Sequence, residues 1–242
     1  MTQGQQIGLA FSELAFRGRA ESVHPFLSAI LQRAPQRPTL KILDLGCGAG
    51  DLCLALAEAL PDARVTGVDI SSENIAFAKS LAHRRVGAEV EFLEKNYATW
   101  TADKFDVVSA DSVLQWIDAE AAQLAAKFAN DLSAGGLLIA TVPAKCATNA
   151  LLVAQRRIWR RLPRALDVFA LQIARLAFPR EHPEVLADRI NYLRLVPRLS
   201  HGPKFIEIMR EAGLELIEDI GWPGASVFKL KHRLVVFKNI SD

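Results

Sequence analysis

Apolar positions along this chain switch between two spacings, and the order of the switches sets out an architecture. Leu40 to Leu45 is a short, mainly apolar run that reads as a buried strand. Arg64 to Asp69, Glu89 to Leu93, Phe105 to Ala110 and Leu137 to Val142 read the same way. Between them Asp51 to Leu60, Ser72 to His83 and Ala119 to Asp131 carry helical spacing. Strands that alternate with helices fold as a parallel sheet covered on both faces. Ahead of this core, Val23, Phe26, Leu27, Ile30 and Leu31 recur at helical spacing before the Pro-rich break from Ala34 to Pro38, which predicts a helical arm within residues 1–37. After Val142 comes a stretch of roughly sixty residues, about 144–202, rich in Arg, Leu and Pro and helical in period. It reads as an inserted cap. The chain closes with a helix from Lys204 to Ala212 and strands from Leu214 to Ile220 and from Leu230 to Phe237, an antiparallel terminal pair. The expectation is one α/β domain over residues 1–242 with a seven-stranded sheet.

Composition agrees with that size and narrows the class. A chain of 242 residues, half of them apolar, buries an ordinary single core. The formal charge of +2 gives no whole-molecule signal for nucleic acid or membrane. The three cysteines, Cys47, Cys53 and Cys146, are too few and too irregularly spaced for a disulfide framework or a tetrahedral zinc site. No metal site is expected, and the thiols fit a reducing, cytoplasmic compartment. The first residues lack a basic n-region followed by an apolar one, and no window reaches about 18 uncharged apolar residues, so neither export nor a membrane span is expected.

The chemistry is concentrated in Lys41-Ile-Leu-Asp-Leu-Gly-Cys-Gly-Ala-Gly50, a strand that enters a loop with glycine at every second position and then a helix. A backbone that turns sharply beside a ligand needs positions without a Cβ. A dinucleotide loop has Gly-x-Gly-x-x-Gly, but here the third position is Asp51 and the third glycine is Gly50. An acid at that helix start repels a pyrophosphate. The expected ligand is therefore a nucleoside without phosphates. Asp69 ends the second strand about twenty residues on, where a carboxylate accepts hydrogen bonds from ribose hydroxyls.

Asp44-Leu-Gly-Cys-Gly-Ala-Gly50 together with Asp69 resembles the class I methyltransferases dependent on S-adenosylmethionine (SAM), motif by motif over roughly residues 38 to 143. The resemblance implies SAM as cofactor and a Rossmann-like sheet whose last strand is reversed. It implies that Asp44, Gly46, Gly48 and Gly50 face the methionine part of SAM, that Asp69 and Ile70 hold the ribose side, and that Asn96 and Tyr97 lie beside the adenine. Asn96 stands where the family usually has Asp, with the amide oxygen left to pair with the exocyclic amine. Phe105-Asp-Val-Val-Ser-Ala-Asp-Ser-Val-Leu-Gln-Trp-Ile117 is similar to the fourth-strand segment of trans-aconitate methyltransferase-like proteins. That similarity places Asp111 near the sulfonium and amino group, and puts Gln115 and Trp116 at the substrate pocket. Arg19, in the N-terminal arm, is the candidate for the SAM carboxylate.

The cap carries the substrate question. Residues 151–200 hold ten Arg against four Asp plus Glu, a formal +6 that leaves the other residues at −4. Arg156, Arg157, Arg160, Arg161 and Arg164 are read as one helical face, either simply solvated or facing an anionic substrate, an acidic partner or a membrane surface. Nucleic acid is not expected, because no aromatic interleaving accompanies the arginines. Asn149, Tyr192 and Arg194 are the cap residues expected to meet a small-molecule substrate, since buried polar groups need partners. No general base stands out, and His24, His83, His182, His201 and His232 occur singly. Methyl transfer to a small acceptor, with a carboxylate-bearing metabolite favoured, leads. Two alternatives stay open: a SAM-consuming cyclase or lyase resembling azetidine-2-carboxylate synthases, which releases methylthioadenosine, and a non-catalytic SAM-binding module. The oligomeric state is left open.

Overall fold

The computed structural model describes residues 20–84, 90–222 and 230–241. In chain order the elements are α1 (Ala20–Leu31), β1 (Lys41–Leu45), α2 (Asp51–Ala59), β2 (Arg64–Asp69), α3 (Ser72–Ala82), β3 (Val90–Glu94) and β4 (Phe105–Asp111). A short 3-10 turn, Leu114–Trp116, leads to α4 (Ala121–Asp131) and β5 (Leu132–Pro143). Then come α5 (Ala147–Arg161), α6 (Ala165–Ala177), α7 (Pro183–Leu193), α8 (Pro203–Glu211), β6 (Leu214–Trp222) and β7 (His232–Asn239).

The strands form one seven-stranded sheet in the order β3-β2-β1-β4-β5-β7-β6. The first five are parallel, and β7 runs antiparallel to both β5 and β6. Side chains alternate across the sheet with period two. Ile42, Val107, Ile139 and Val236 pack with Phe26, Ile30, Leu52 and Leu56 on the face of α1 and α2. Leu43, Val108, Leu138 and Val235 pack with Phe128, Phe205 and Met209 on the face of α4 and α8. Because both faces are covered, the central strands are apolar almost throughout.

Most boundaries move by one or two residues, β7 by two at both ends, and two of the shifts have a visible cause. β5 begins at Leu132, directly after α4, rather than at Leu137. Ser133 to Gly136 looks like a break in sequence, but it is absorbed where pairing slips between Phe105↔Leu132 and Val107↔Leu137. Helix α4 starts at Ala121, not Ala119, because Glu120 and Gln123 make a capping box.

The stretch between β5 and α8 forms the three helices α5, α6 and α7. Asn149 of α5 fastens it to the sheet. Its Nδ2 donates to the carbonyls of Ala144 (2.7 Å) and Lys231 (2.8 Å), and its Oδ1 accepts from the Lys231 amide at 2.8 Å. Arg194, after α7, grips Asp167 of α6 with two bonds of 2.8 Å and donates to the carbonyls of Trp159 and Leu162 at the end of α5. One guanidinium thus closes the last turn of α5 and joins all three helices.

Candidate active site

In an open parallel sheet, ligands meet the carboxyl ends of the strands. At that edge the chain gathers the β1–α2 loop, the ends of β2 and β4, and the start of β7. Gly46, Gly48 and Gly50 all have positive φ. Gly50 ends the turn with its amide on the Cys47 carbonyl at 2.9 Å, and a Cβ there would lie 2.7 Å from the Phe92 ring. A Cβ on Gly48 would meet nothing within 4 Å. Gly48 therefore borders open space on the side where a ligand approaches.

Asp69 is tied to that loop. Its Oδ2 accepts the Gly48 amide at 2.9 Å and its Oδ1 the Ser71 amide at 2.8 Å. The Asn74 side chain and the Ile70 amide also bear on this carboxylate. Burial raises its pKa against these amides, which lower it. Ile70, next in sequence, is exposed and offers a flat apolar contact beside the acid.

Asp44 lies below the loop, fully enclosed. Its carboxylate accepts Ser109 Oγ at 2.9 Å and Cys53 Sγ at 3.4 Å. Burial pushes its pKa up to about 7, with a further push from Asp111 and Asp69. Asp111 ends β4 with its carboxylate exposed. It accepts Thr141 Oγ1 at 2.5 Å and Ser112 Oγ at 3.2 Å. Three carboxylates converging beside an open loop make a cation-seeking rim.

Ser112 has φ 58°, the one non-glycine residue with positive φ among those described. Its amide on Thr141 Oγ1 (2.7 Å) and its carbonyl, which accepts Gln115 Nε2 at 2.8 Å, hold that unfavourable turn. Gln115 is 1 % exposed, and its Oε1 has no partner among the described residues. The Trp116 ring meets Tyr192 of α7 edge-on at 5.6 Å and packs with Leu195. Tyr192 in turn lies 4.3 Å beneath the guanidinium of Arg156 on α5.

Several expected site residues turn out otherwise. Tyr97 is a core residue: its ring stacks on Phe128 at 5.4 Å, and Lys127 sits over it at 4.5 Å. Asn96 turns its oxygen to the Ala98 amide at 3.1 Å, which leaves its amide hydrogens and one oxygen lone pair for a ligand. Asn149 and Arg194 are occupied by the backbone and ion-pair contacts described above, which leaves them bracing the cap. Arg156 does not share the exposed face of Arg157, Arg160, Arg161 and Arg164; it is 2 % exposed. Arg19 lies outside the described residues.

Ser112 and Thr141 were not singled out by the sequence, Arg156 stood there only as one of five arginines on a helical face, and His232 only as one of five scattered histidines. His232 opens β7 opposite Pro143. Its Nε2 is buried without a partner among the described residues. Burial lowers its pKa, as does Arg156, while Asp111 and a hydrogen bond to the Leu230 backbone raise it, so the ring is neutral near pH 7 and within the fields of both Arg156 and Asp111. A signal for Arg156 was available. Asn149, Leu152, Val153, Arg156 and Trp159 share one helical face, and that face turns inward.

A glycine loop beside a ribose-seeking acid, on a sheet with a reversed last strand, defines a class of nucleoside-binding methyltransferase-like proteins. A family model described as a methyltransferase domain matches residues 36–170, more than half of the chain. Trans-aconitate 2-methyltransferase of Streptomyces avermitilis is 31% identical over 175 residues, covering 71% of this chain and 61% of that protein. The same-named protein of Azoarcus sp. is 33% identical over 115 residues, 47% of this chain and 43% of its own. The chain thus matches less than two thirds of these relatives' lengths. Among solved structures, the SAM-bound magnesium protoporphyrin IX methyltransferase of Synechocystis PCC 6803 superposes with a TM-score of 0.63 at 15% identity, over 99% of this chain and 98% of that one. The N-methyltransferase NodS of Bradyrhizobium japonicum does so at 0.57 and 18%, over 91% and 96%. These two likenesses speak for the fold. The chain belongs to the class I SAM-dependent methyltransferase family.

Proposed function

We propose that this chain binds SAM and transfers its methyl group to a small, carboxylate-bearing acceptor held beneath the cap. The observation that carries the acceptor class is Arg156, a guanidinium 2 % exposed with no carboxylate partner among the described residues. Its contacts are the carbonyls of Leu195 (3.2 Å) and Tyr192 (3.4 Å) and the Tyr192 ring. A buried cation without a counter-ion is costly, and a substrate carboxylate relieves that cost. The names of the relatives above support the same acceptor class.

The residues present fit the cofactor. Gly48 leaves room for it, Asp69 offers a carboxylate to the ribose, Ile70 an apolar rest, and the Asp44–Asp111 rim a negative field for its cationic end. When bound there, SAM supplies a methyl group on a sulfonium, and an ionised carboxylate takes it without giving up a proton. No base is then needed, which suits a neutral, buried His232; its Nε2 and Gln115 Oε1 can accept only from a hydroxyl elsewhere on the acceptor, since an ionised carboxylate has no hydrogen to donate. Trp116, Tyr192 and Leu195 wall the space with apolar surface and exclude water. No helix among the described residues is long and apolar enough to cross a membrane, and with the three free thiols we place the enzyme in the cytoplasm.

The test is mass spectrometry of the purified protein with SAM, alone and with a panel of small di- and tricarboxylates. S-adenosylhomocysteine and a methyl ester are expected only with an acceptor. Arg156→Gln should lower kcat/KM about tenfold to a hundredfold and leave SAM affinity unchanged. Methylthioadenosine from SAM alone would overturn this reading in favour of intramolecular cyclisation.

A further inference from the structure

The outer surface of the cap has a feature that methyl transfer does not use. Helix α6 buries none of its residues. Its half-buried positions, Asp167, Ala170, Leu171 and Ala174, share one side, and Asp167 is held there by Arg194 at the end of α7. The opposite side carries Leu166, Phe169, Ile173 and Leu176, with 38%, 62%, 52% and 84% of their surface exposed. Spacings of three, four and three residues place these side chains in one stripe along the whole helix. Phe178, at the C-cap, and Ile158 of α5 are also exposed. An outward apolar stripe on a cap helix has no role in the core, and patches of this kind mark contact surfaces.

The charges around the stripe point to its occupant. Arg157, Arg160, Arg161 and Arg164, on the last turns of α5 and the turn into α6, are exposed and form no ion pair among the described residues. Arg180, beyond the far end, is equally exposed, while Arg175 lies on the side of Leu171, away from the stripe. The neighbouring acids are engaged: Asp167 with Arg194, and Glu181 with Arg189 at 3.2 Å. Five guanidiniums without an ion pair among the described residues, at the two ends of an apolar stripe, are what an amphipathic helix lying in a membrane interface presents to anionic headgroups. A second copy of the chain would set the same positive charges against one another. An acidic polyanion would leave the four large apolar side chains in water.

We infer that α6, with the arginine-bearing end of α5, is an in-plane docking face for an anionic lipid bilayer. The helix lies on the surface rather than through it, with Leu166, Phe169, Ile173 and Leu176 turned into the headgroup–acyl boundary and the arginines at phosphate level.

The test is flotation of the full chain with phosphatidylcholine vesicles and with vesicles containing about one third phosphatidylglycerol. Partitioning is expected on the anionic vesicles alone, and it should weaken as salt is raised. In Arg160→Gln/Arg161→Gln, partitioning should fall about fivefold for each charge removed. Phe169→Asp/Ile173→Asp should lower it by about tenfold or more, with melting temperature and SAM affinity unchanged, because both side chains face solvent. Absent or equal binding to the two vesicle types overturns the inference. So does light scattering that shows a dimer which the Phe169→Asp/Ile173→Asp protein no longer forms, since the stripe would then be a self-association face.

Discussion

Asp44 is a buried acid that the fold holds at its own expense, and Asp44→Asn isolates the effect. The carboxylate is enclosed, accepts only Ser109 Oγ and a thiol, and has a pKa of about 7; in the unfolded chain an Asp titrates near 3.9. The raised value means that the folded protein keeps a proton which the unfolded chain releases between those two pH values. Stability therefore falls as pH rises from about 4 to about 7, and the full cost is present above that window. Roughly three pH units at 1.36 kcal/mol each put that cost on the order of 4 kcal/mol. Asparagine keeps the shape and the Ser109 hydrogen bond without the charge. Urea denaturation of both proteins at intervals from pH 5 to pH 8 should show the variant gaining on the parent by about 3 kcal/mol over that range. The same substitution should weaken SAM most at pH 8, where the parent carboxylate is ionised and faces a cationic ligand, and least near pH 5. A stability gap that does not change with pH, or that closes as pH rises, would refute the reasoning.

Asp69→Ala removes the acceptor of two loop amides and of the expected ribose hydroxyls; calorimetric titration should show SAM affinity lowered by about 1.5 to 3 kcal/mol, and an unchanged affinity would remove Asp69 from the site. Gly50→Ala forces a Cβ against Phe92 at positive φ and should cost about 2 kcal/mol in thermal or urea unfolding. Gly48→Ala meets no neighbour and should cost only the strain of its φ, about 1 kcal/mol, while lowering SAM affinity more than tenfold in the same titration. Asn149→Ala leaves the Ala144 carbonyl and the Lys231 amide without the partners they have here, while the Lys231 carbonyl keeps the Ala144 amide at 2.8 Å; it should cost about 1 to 3 kcal/mol, with faster amide exchange in α5 as the local readout.

Much of the fold was legible because the local signals agreed. The two periods of apolar residues, the glycine loop and the acid at Asp69 each depend on a few neighbouring positions, and strand-to-helix alternation admits few sheets. The boundary that moved furthest lies where a short polar and glycine run has two meanings: Ser133 to Gly136 reads as a break and is a bulge inside β5. The same limit applies to side chains. Tyr97 sits one residue from Asn96 in a segment similar to an adenine-binding motif, yet its ring faces Phe128, a partner thirty-one positions away.

By itself the sequence determined the class of sheet, the reversed terminal strand and the nucleoside loop, since backbone conformation and hydrophobic period are local properties. Tertiary structure alone decided which polar groups are left over. Asn149 and Arg194 were candidate ligands until packing supplied Lys231 and Asp167 as partners; Arg156 was one arginine in a basic run until the cap buried it with no acid partner among the described residues. His232 reached the same edge only because an antiparallel strand begins where a parallel one ends. Whether a polar side chain is satisfied depends on chain segments distant in sequence, and that is why the acceptor side of this site is written in the fold.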